Sequence, residues 1–325
     1  MTRQFRSKIA LAAVASGALV LTGCTATTSA GTSGEALEPL QVVAAFYPLQ
    51  FLANRVGQDQ VTVNSLTQAG ADAHNVELSP QQVLEIAEAD LVLYIKGFQP
   101  AVDAAVKQQA PDTAMNLAKN LETLTQEVPQ SESKADKDAR GKGSDEKAKG
   151  ASKSVPDPHV WLDPANMITM AEALRARMTE LSPNAEQAFA DHTARISQHL
   201  QTLNEDWQAG TSDCESRELV VGHEAFGYLG QAYDLTQLGI AGLDPTSEPS
   251  PESIARMTEL ADARNVTTIF YGSSVEPQVA QRIADEAGLN TRVLDPLEAE
   301  PDTAAGDYLS AMLRNLLSVQ EGLRC

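Results

Sequence analysis

Three histidines and one aspartate stand at positions where an α/β protein could bind a ligand. His74 follows a strand-like run and precedes a helix start, His159 precedes a second helix start, and His223 and Asp295 each end a strand-like run. Open α/β sheets bind ligands beyond the carboxyl ends of their strands. Three imidazoles and a carboxylate form an N3O set that suits a tetrahedral cation such as Zn²⁺. Singly, each residue fits an ordinary turn or surface role; together they use three of the five histidines and favour a metal site.

Strand-like and helix-like segments alternate along most of the chain, which predicts βα units around parallel sheets. The predicted strands are residues 41–46, 61–66, 90–95, 218–222, 235–240, 266–271 and 291–295. The predicted helices are residues 81–89, 165–181, 184–208, 225–233, 251–264, 277–287 and 303–321.

Three helix starts carry the same signal, an N-cap residue followed by proline at the first helical position: Ser79-Pro80, Asp163-Pro164 and Ser182-Pro183. The third opens a segment with apolar residues at helical spacing. At 1.5 Å per residue this helix would be about 37 Å long, enough to join two domains. We therefore predict an α/β fold of two parallel-sheet lobes joined by one long helix, with the metal site in the cleft between the lobes.

The first 39 residues are predicted to export and tether the protein. Residues 1–23 combine Arg3, Arg6 and Lys8 with a 13-residue apolar run, as in a signal peptide. The run ends in "LTGC", which resembles the lipobox of bacterial lipoproteins and predicts lipid attachment at Cys24. A plain secretory signal with an accidental cysteine is the alternative. Residues 24–39 are mostly small and polar, as in a flexible tether, so we expect a protein anchored outside the cytoplasmic membrane.

A low-complexity segment interrupts the α/β pattern at residues 130–154. It has seven basic and five acidic residues among Ser, Gly and Ala, and it cannot form a core. We interpret it as a solvated insertion within an N-terminal lobe of residues 40–181. Residues 182–209 would form the linker helix, and residues 210–325 the C-terminal lobe.

Charge and cysteine content narrow the possible partners and the compartment. The net charge of −20 argues against binding to nucleic acid, whose phosphates an acidic surface repels. With Cys24 lipidated, Cys214 and Cys325 remain, and a pair in an oxidising compartment is typical of a disulfide. Such a long closed loop would stabilise the fold by roughly 4–5 kcal/mol in the chain-entropy model. Two free thiols are the alternative.

Five motifs occur in an order that resembles the zinc and manganese solute-binding proteins of ABC importers. They are "GADAHNVELSP", "DPHVWLDP", "GHEAFGYLGQAYDL", "GLDPTSEPSP" and "VLDPLE", and the resemblance covers roughly residues 40–325. It implies two α/β lobes joined by a rigid long helix, with the transported metal between them. Carried over motif by motif, it implies nitrogen ligands from His74, His159 and His223 and an oxygen ligand from Asp295.

The third motif bears on the choice of metal. Manganese members of the family resemble one another in placing glutamate at the position where this chain has His223. In this chain Glu224 is the next residue. Imidazole in place of a hard oxygen shifts preference from Mn²⁺ towards Zn²⁺. Two features depart from the family pattern: Ala73 stands where proline usually precedes the first histidine, and segment 130–154 lacks the histidines that zinc members often carry there.

The leading hypothesis is therefore a monomeric, membrane-tethered protein that binds Zn²⁺ and delivers it to a cognate ABC permease, and that is not an enzyme. A manganese-specific member of the same family is one alternative. Another is an extracytoplasmic zinc hydrolase, which would use the three histidines and leave a coordination position open for water. A metal-bearing surface adhesin is the third.

Overall fold

The computed structural model describes residues 38–128, 153–240, 266–272, 277–301 and 306–325, together with positions 255, 258–259, 261 and 263–264. Residues 38–325 form one compact unit. The predicted signal peptide, Cys24, nearly all of the tether, nearly all of the 130–154 insertion and the "GLDPTSEPSP" motif lie outside the described residues. Within the described ranges, no helix combines the length and apolar character needed to cross a membrane.

The N-terminal lobe is built on a parallel sheet. Its described strands are β1 (Leu40–Ala44), β2 (Val61–Ser65), β3 (Leu91–Tyr94) and β4 (Ala114–Asn116). They lie in the order β2-β1-β3-β4, with Val42 of β1 opposite Val63 and Leu91 of its two neighbours. Residues 42–44 of β1 and 91–93 of β3 are buried, as expected for the central strands of a parallel sheet covered on both faces.

An antiparallel hairpin follows, formed by β5 (Thr125–Val128) and β6 (Lys153–Pro156). Its two strands flank the predicted insertion, and β6 includes Lys153 and Ser154, which the composition had placed inside it. The hairpin leads directly into the segment that carries His159.

The C-terminal lobe repeats the parallel arrangement. Its described strands are β7 (Glu218–Val221), β8 (Thr236–Gly239), β9 (Thr268–Tyr271) and β10 (Asn290–Val293). They lie in the order β10-β9-β7-β8, and all the pairings are parallel. The structure therefore confirms two parallel-sheet α/β lobes.

The helices with both ends in the described residues are α1 (Tyr47–Gly57), α2 (Pro80–Glu88), α3 (Pro100–Gln109), α4 (Pro164–Leu181), α5 (Glu186–Thr211), α6 (Gly227–Tyr233), α7 (Pro277–Ala287) and α8 (Tyr308–Leu323). The described positions 255, 258, 259, 261 and 263 of the predicted helix 251–264 are also helical, and the rest of that prediction except position 264 lies outside the described residues. Two predicted caps are confirmed. Ser79 and Gln82 form a capping box at the start of α2, and Asp163 accepts from the backbone NH of Ala165 at the start of α4. Ser182 makes no side-chain cap; a 3-10 turn over Pro183–Ala185 leads into α5 instead.

Helix α5 is the long helix between the two predicted lobes. Its 26 residues correspond to about 39 Å. His192 donates from Nδ1 to the carbonyl of Val56 in α1, at 3.0 Å. Near its other end Trp207 stacks on Tyr233, with ring centroids 5.2 Å apart, and Gln320 of α8 donates to the carbonyl of Gly210. Both lobes therefore pack on one helix.

The larger of two apolar clusters among the described residues runs from one lobe into the other through buried aromatic residues, and a smaller one lies in the C-terminal lobe around Val220 and Ile269. Trp161, Trp207 and Tyr308 are among the largest fully buried side chains of the larger cluster. In the C-terminal lobe, a disulfide joins Cys214 to Cys325, as predicted, and closes a separation of 111 residues.

Candidate metal centre

His74 lies in the loop after β2, and hydrogen bonds hold this loop in place. Asp72 Oδ1 accepts from the backbone NH of His74 at 2.9 Å. Buried Gln99 donates from Nε2 to the carbonyl of Ala73 at 2.8 Å and to Thr67 Oγ1 at 3.1 Å. The Gln99 amide thus fixes the backbone immediately before His74, where the family pattern has proline.

His159 is completely buried in a short segment between β6 and α4. A 3-10 turn over Val160–Leu162 follows it, and the Trp161 side chain is also fully buried. Trp161 Nε1 donates to the carbonyl of Pro296 at 2.7 Å, while the Tyr308 hydroxyl donates to the carbonyl of Trp161 at 2.7 Å. These bonds attach the His159 segment to the C-terminal lobe.

His223 follows β7 at the carboxyl end of the second sheet. The backbone NH of Gly222 donates to the carbonyl of Phe270 in β9 at 2.9 Å, so the ladder continues to the residue before the histidine. The His223 side chain is 2% exposed. This is the strand-end position that the sequence predicted.

The carboxylate beside the three imidazoles belongs to Glu298, not to Asp295. Asp295 Oδ1 accepts from the backbone NH of Leu297 at 2.8 Å. The Asn315 side chain accepts from the backbone NH of Asp295 and donates to its carbonyl. Leu297 has φ of +58°, a left-handed conformation uncommon for a bulky residue. The chain therefore turns at Leu297 and directs Glu298 into the cleft.

The four side chains converge on one point. Oε1 of Glu298 lies 3.1 Å from Nε2 of His74, 3.4 Å from Nε2 of His159 and 3.3 Å from Nε2 of His223. One ligand atom from each of the four residues lies within 4.8 Å of all the others. Tetrahedral zinc with bonds of 2.0–2.1 Å has ligand atoms about 3.3 Å apart. The three nitrogen–oxygen separations match that spacing.

A comparison with known protein families agrees with this geometry. Residues 42–322 match the family described as ZnuA, zinc-uptake complex component A, periplasmic. The chain belongs to the ZnuA family.

Two curated relatives and one crystal structure show how far the similarity extends. The high-affinity zinc uptake system protein ZnuA of Bacillus subtilis is 27% identical over 332 residues, covering 98% of each chain. The zinc-binding lipoprotein AdcA of Streptococcus pneumoniae strain R6 is 29% identical over 289 residues, 87% of this chain but 55% of AdcA. The chain thus spans about half the length of the streptococcal relatives it matches. The Zn(II)-bound ZnuA-like domain of pneumococcal AdcA superposes with a TM-score of 0.70 at 27% identity, covering 89% of this chain and 100% of that domain.

Within this ZnuA-family site, Asp157 fixes the orientation of the His159 ring. Its Oδ1 accepts from the backbone NH of His159 at 2.9 Å and from Nδ1 of the ring at 2.8 Å. Because a carboxylate only accepts, Nδ1 carries a proton and Nε2 faces the cluster. That buried Nε2 has no hydrogen bond of good geometry to a described residue, and it lies 3.4 Å from the Glu298 carboxylate oxygen Oε1.

Burial and the neighbouring charges shift the ionisation of the cluster. Burial alone would lower the pKa of His159, but the carboxylates of Asp157 and Glu298 together raise that pKa to about 9. Burial dominates at His223 and lowers its pKa. Burial would raise the pKa of Glu298, but the three histidines hold it well below its usual range. Metal-free, the cluster therefore combines an ionised carboxylate with a protonated His159 near neutral pH.

His74 is the most exposed of the three imidazoles, at 10% of its side chain. It lines an open cavity of about 750 Å³ together with Phe98, Asp157 and Tyr228. The cavity gives the cluster access to solvent from the side of His74, while His159 and His223 lie behind it.

Proposed function

We propose that this chain binds Zn²⁺ outside the cytoplasm and delivers it to a cognate ABC importer. The observation that carries the proposal is the convergence of three Nε2 atoms on one carboxylate oxygen, at nitrogen–oxygen separations that match tetrahedral zinc, in a member of a zinc-uptake family. Zinc is then the transported ligand and not a resident cofactor.

The proposed ligands are His74, His159, His223 and Glu298, with Glu298 in the place that the sequence assigned to Asp295. Four protein ligands complete a tetrahedral shell, as in closed zinc sites, whereas catalytic sites keep one position for water. This closed set supports binding and transport over the hydrolase alternative.

The ligand chemistry favours zinc over manganese. Nitrogen-rich four-coordinate sites suit Zn²⁺, while Mn²⁺ favours oxygen-rich octahedral ones. His223 supplies imidazole at the position where manganese members carry glutamate, and the neighbouring Glu224 is not a member of the ligand cluster.

The proposal includes a location and partners. The "LTGC" sequence supports lipid attachment at Cys24, which would hold a monomeric binding domain at the outer face of the cytoplasmic membrane. The permease in that membrane would receive the metal. The streptococcal relatives carry further sequence beyond the part that this chain matches, so these partners are proposed for the present chain on its own motifs.

The test is a metal titration of the protein from residue 38 onward, because residues 38–325 form one compact unit. We expect tight 1:1 binding of Zn²⁺, weaker binding of Mn²⁺ in direct competition, and no hydrolytic turnover. His159→Ala should abolish tight zinc binding. His199→Ala, an exposed histidine of α5, should leave it unchanged. Equal zinc affinity in wild type and His159→Ala would refute the proposal.

A further inference from the structure

The side chain of Gln126 in β5 lies between the segments that carry two of the proposed ligands. Its Nε2 donates to Asp157 Oδ2 at 3.1 Å and to the carbonyl of Glu224 at 3.1 Å. Both partners are acceptors, so the amide must present its nitrogen to them and not its oxygen. One NH2 group, with its two hydrogens, is therefore fully used at this point.

Each acceptor residue is close in sequence to a proposed ligand. Asp157 holds both the backbone NH and the Nδ1 of His159, and the Glu224 carbonyl belongs to the residue after His223. His159 belongs to the predicted N-terminal lobe and His223 to the C-terminal one. Gln126 thus connects a ligand segment of each lobe through a single nitrogen atom.

The environment of Gln126 indicates that this arrangement is costly. Its Oε1 is buried and has no hydrogen-bond partner among the described residues. An unpaired buried carbonyl oxygen is unfavourable. A side chain without an amide oxygen would not leave this atom unpaired. A glutamine is suited to this position because its NH2 reaches two acceptors at once.

We propose that Gln126 is a positioning residue that sets the distance between His159 and His223 across the two lobes and so slows the release of bound zinc. The inference rests on the proposed zinc function. When the lobes separate, the bond from Nε2 to the Glu224 carbonyl must lengthen, while the bond to Asp157, which follows the paired strand β6, keeps the amide in place. Gln126 therefore resists the movement that would pull the two imidazoles apart. The residues that support metal ligands in this way typically change metal binding 10- to 100-fold when they are replaced.

The test compares Gln126→Glu with Gln198→Glu. Both substitutions replace an amide with a carboxylate of the same shape, and Gln198 is exposed on α5 away from the cluster. At position 126 the new carboxylate cannot donate and faces two acceptors. Zinc dissociation, followed by stopped-flow mixing with an excess of chelator, should be about 10- to 100-fold faster in Gln126→Glu and unchanged in Gln198→Glu.

A second readout separates positioning from a purely structural role. Tetrahedral Co²⁺ in place of Zn²⁺ gives visible absorption bands that report coordination geometry, and these should change in Gln126→Glu. A lower unfolding temperature with unchanged dissociation rate and Co²⁺ spectrum would overturn the proposal. If Gln126→Glu does not fold, Gln126→Ala removes the same two bonds without adding charge, and unchanged zinc dissociation there would overturn it equally. Failure of the wild type to bind zinc would instead refute the proposed function.

Discussion

At the scale of single residues, Glu298 and Asp295 have different roles: the sequence predicts the oxygen ligand at Asp295, but the carboxylate in the cluster is that of Glu298. Glu298 Oε1 is within 3.4 Å of three imidazole nitrogens, whereas Asp295 Oδ1 accepts from the backbone of Leu297. We predict that Glu298→Gln weakens zinc binding at least about 100-fold, since loss of a charged ligand should exceed the effect of losing an outer-shell partner. Isothermal titration with a competing chelator would measure it.

Asp295→Asn is the matched substitution for this prediction. It removes the same charge three residues away but keeps an oxygen that can accept from Leu297, so zinc binding should change much less than in Glu298→Gln. The reverse order of effects would show that Asp295 is the oxygen ligand after all.

The three histidines could be predicted from sequence because each lies at a strand end or before a capped helix. The carboxylate of the cluster could not be predicted in this way. Glu298 is the last residue of the quoted "VLDPLE" motif, but its direction depends on the left-handed backbone at Leu297. Leucine gives no signal for that conformation, which arises from the tertiary contacts of a completely buried side chain. Strand-end reasoning therefore stops at Asp295, three residues too early.

At the scale of elements, the start of α6 packs directly against the Asp157 carboxylate. A Cβ atom added at Gly227 would lie 2.6 Å from Asp157 Oδ2, too close without movement. Gly227→Ala should therefore displace Asp157, disturb the His159 ring and weaken zinc binding about tenfold or more. Competition titration and a thermal unfolding curve would measure the two effects separately.

Gly210→Ala is the control for this helix-to-site contact. Its added Cβ would lie 2.7 Å from the Gln320 amide nitrogen and 3.0 Å from a Leu316 methyl, far along α5 from the cluster. This variant should change stability without changing zinc affinity. Equal losses of affinity in the two variants would mean that the Gly227 effect is a general loss of packing.

Elements with a local start signal were predictable, and those defined by long-range contacts were not. The caps at Ser79 and Asp163 predict α2 and α4. Helices α1 and α3 were not predicted: each has proline in its first turn, but Phe46 and Gln99, the residues before them, make no side-chain cap. Helix α6 also lacks a cap and was predicted from its place between two strand-like runs. The β5–β6 hairpin also gives no signal, because its strands pair across 24 residues of intervening chain and are short and partly polar. Gln126 lies on this hairpin, so its position beside the cluster could not be predicted from the sequence either.

At the scale of the whole molecule, the lobes are joined at the metal cluster by several contacts besides the long helix. The bonds between Trp161, Pro296 and Tyr308 cross from one lobe to the other, and the Tyr228 hydroxyl links the backbones of Leu124 and Asp157. None of these hydrogen bonds uses an atom of the four proposed ligand side chains, so they can hold the ligand segments in place independently of zinc. Such preorganisation lowers the ordering cost of binding.

In the same cluster, protons compete with zinc for the imidazole nitrogens. Zinc needs a neutral imidazole, but the carboxylates raise the pKa of His159 to about 9 despite its burial. The pKa of His223 is lowered and that of Glu298 lies well below its usual range, so neither holds an extra proton near pH 7.5. Binding at that pH should therefore release about one proton from His159, and zinc affinity should rise about tenfold per pH unit between pH 7 and 9.

The stability of the metal-free protein should show the opposite trend over the same range. Because the pKa of His159 is raised from 6.5 to about 9 on folding, its contribution is fully present below pH 6.5 and is lost as the pH rises through 9. The pKa of His223 is lowered on folding, so its effect on stability has the opposite sign. Below pH 6.5 the unfolded chain binds a proton at this residue more readily than the folded protein does, which destabilises the fold. The stabilisation by saturating zinc should thus grow from pH 6.5 to 9.

Calorimetry in buffers of different ionisation enthalpy would count the released protons, and chemical unfolding with and without zinc would measure the stability. Zinc binding without proton release at pH 7.5, or zinc stabilisation that is constant over this range, would show that His159 is already neutral in the metal-free protein.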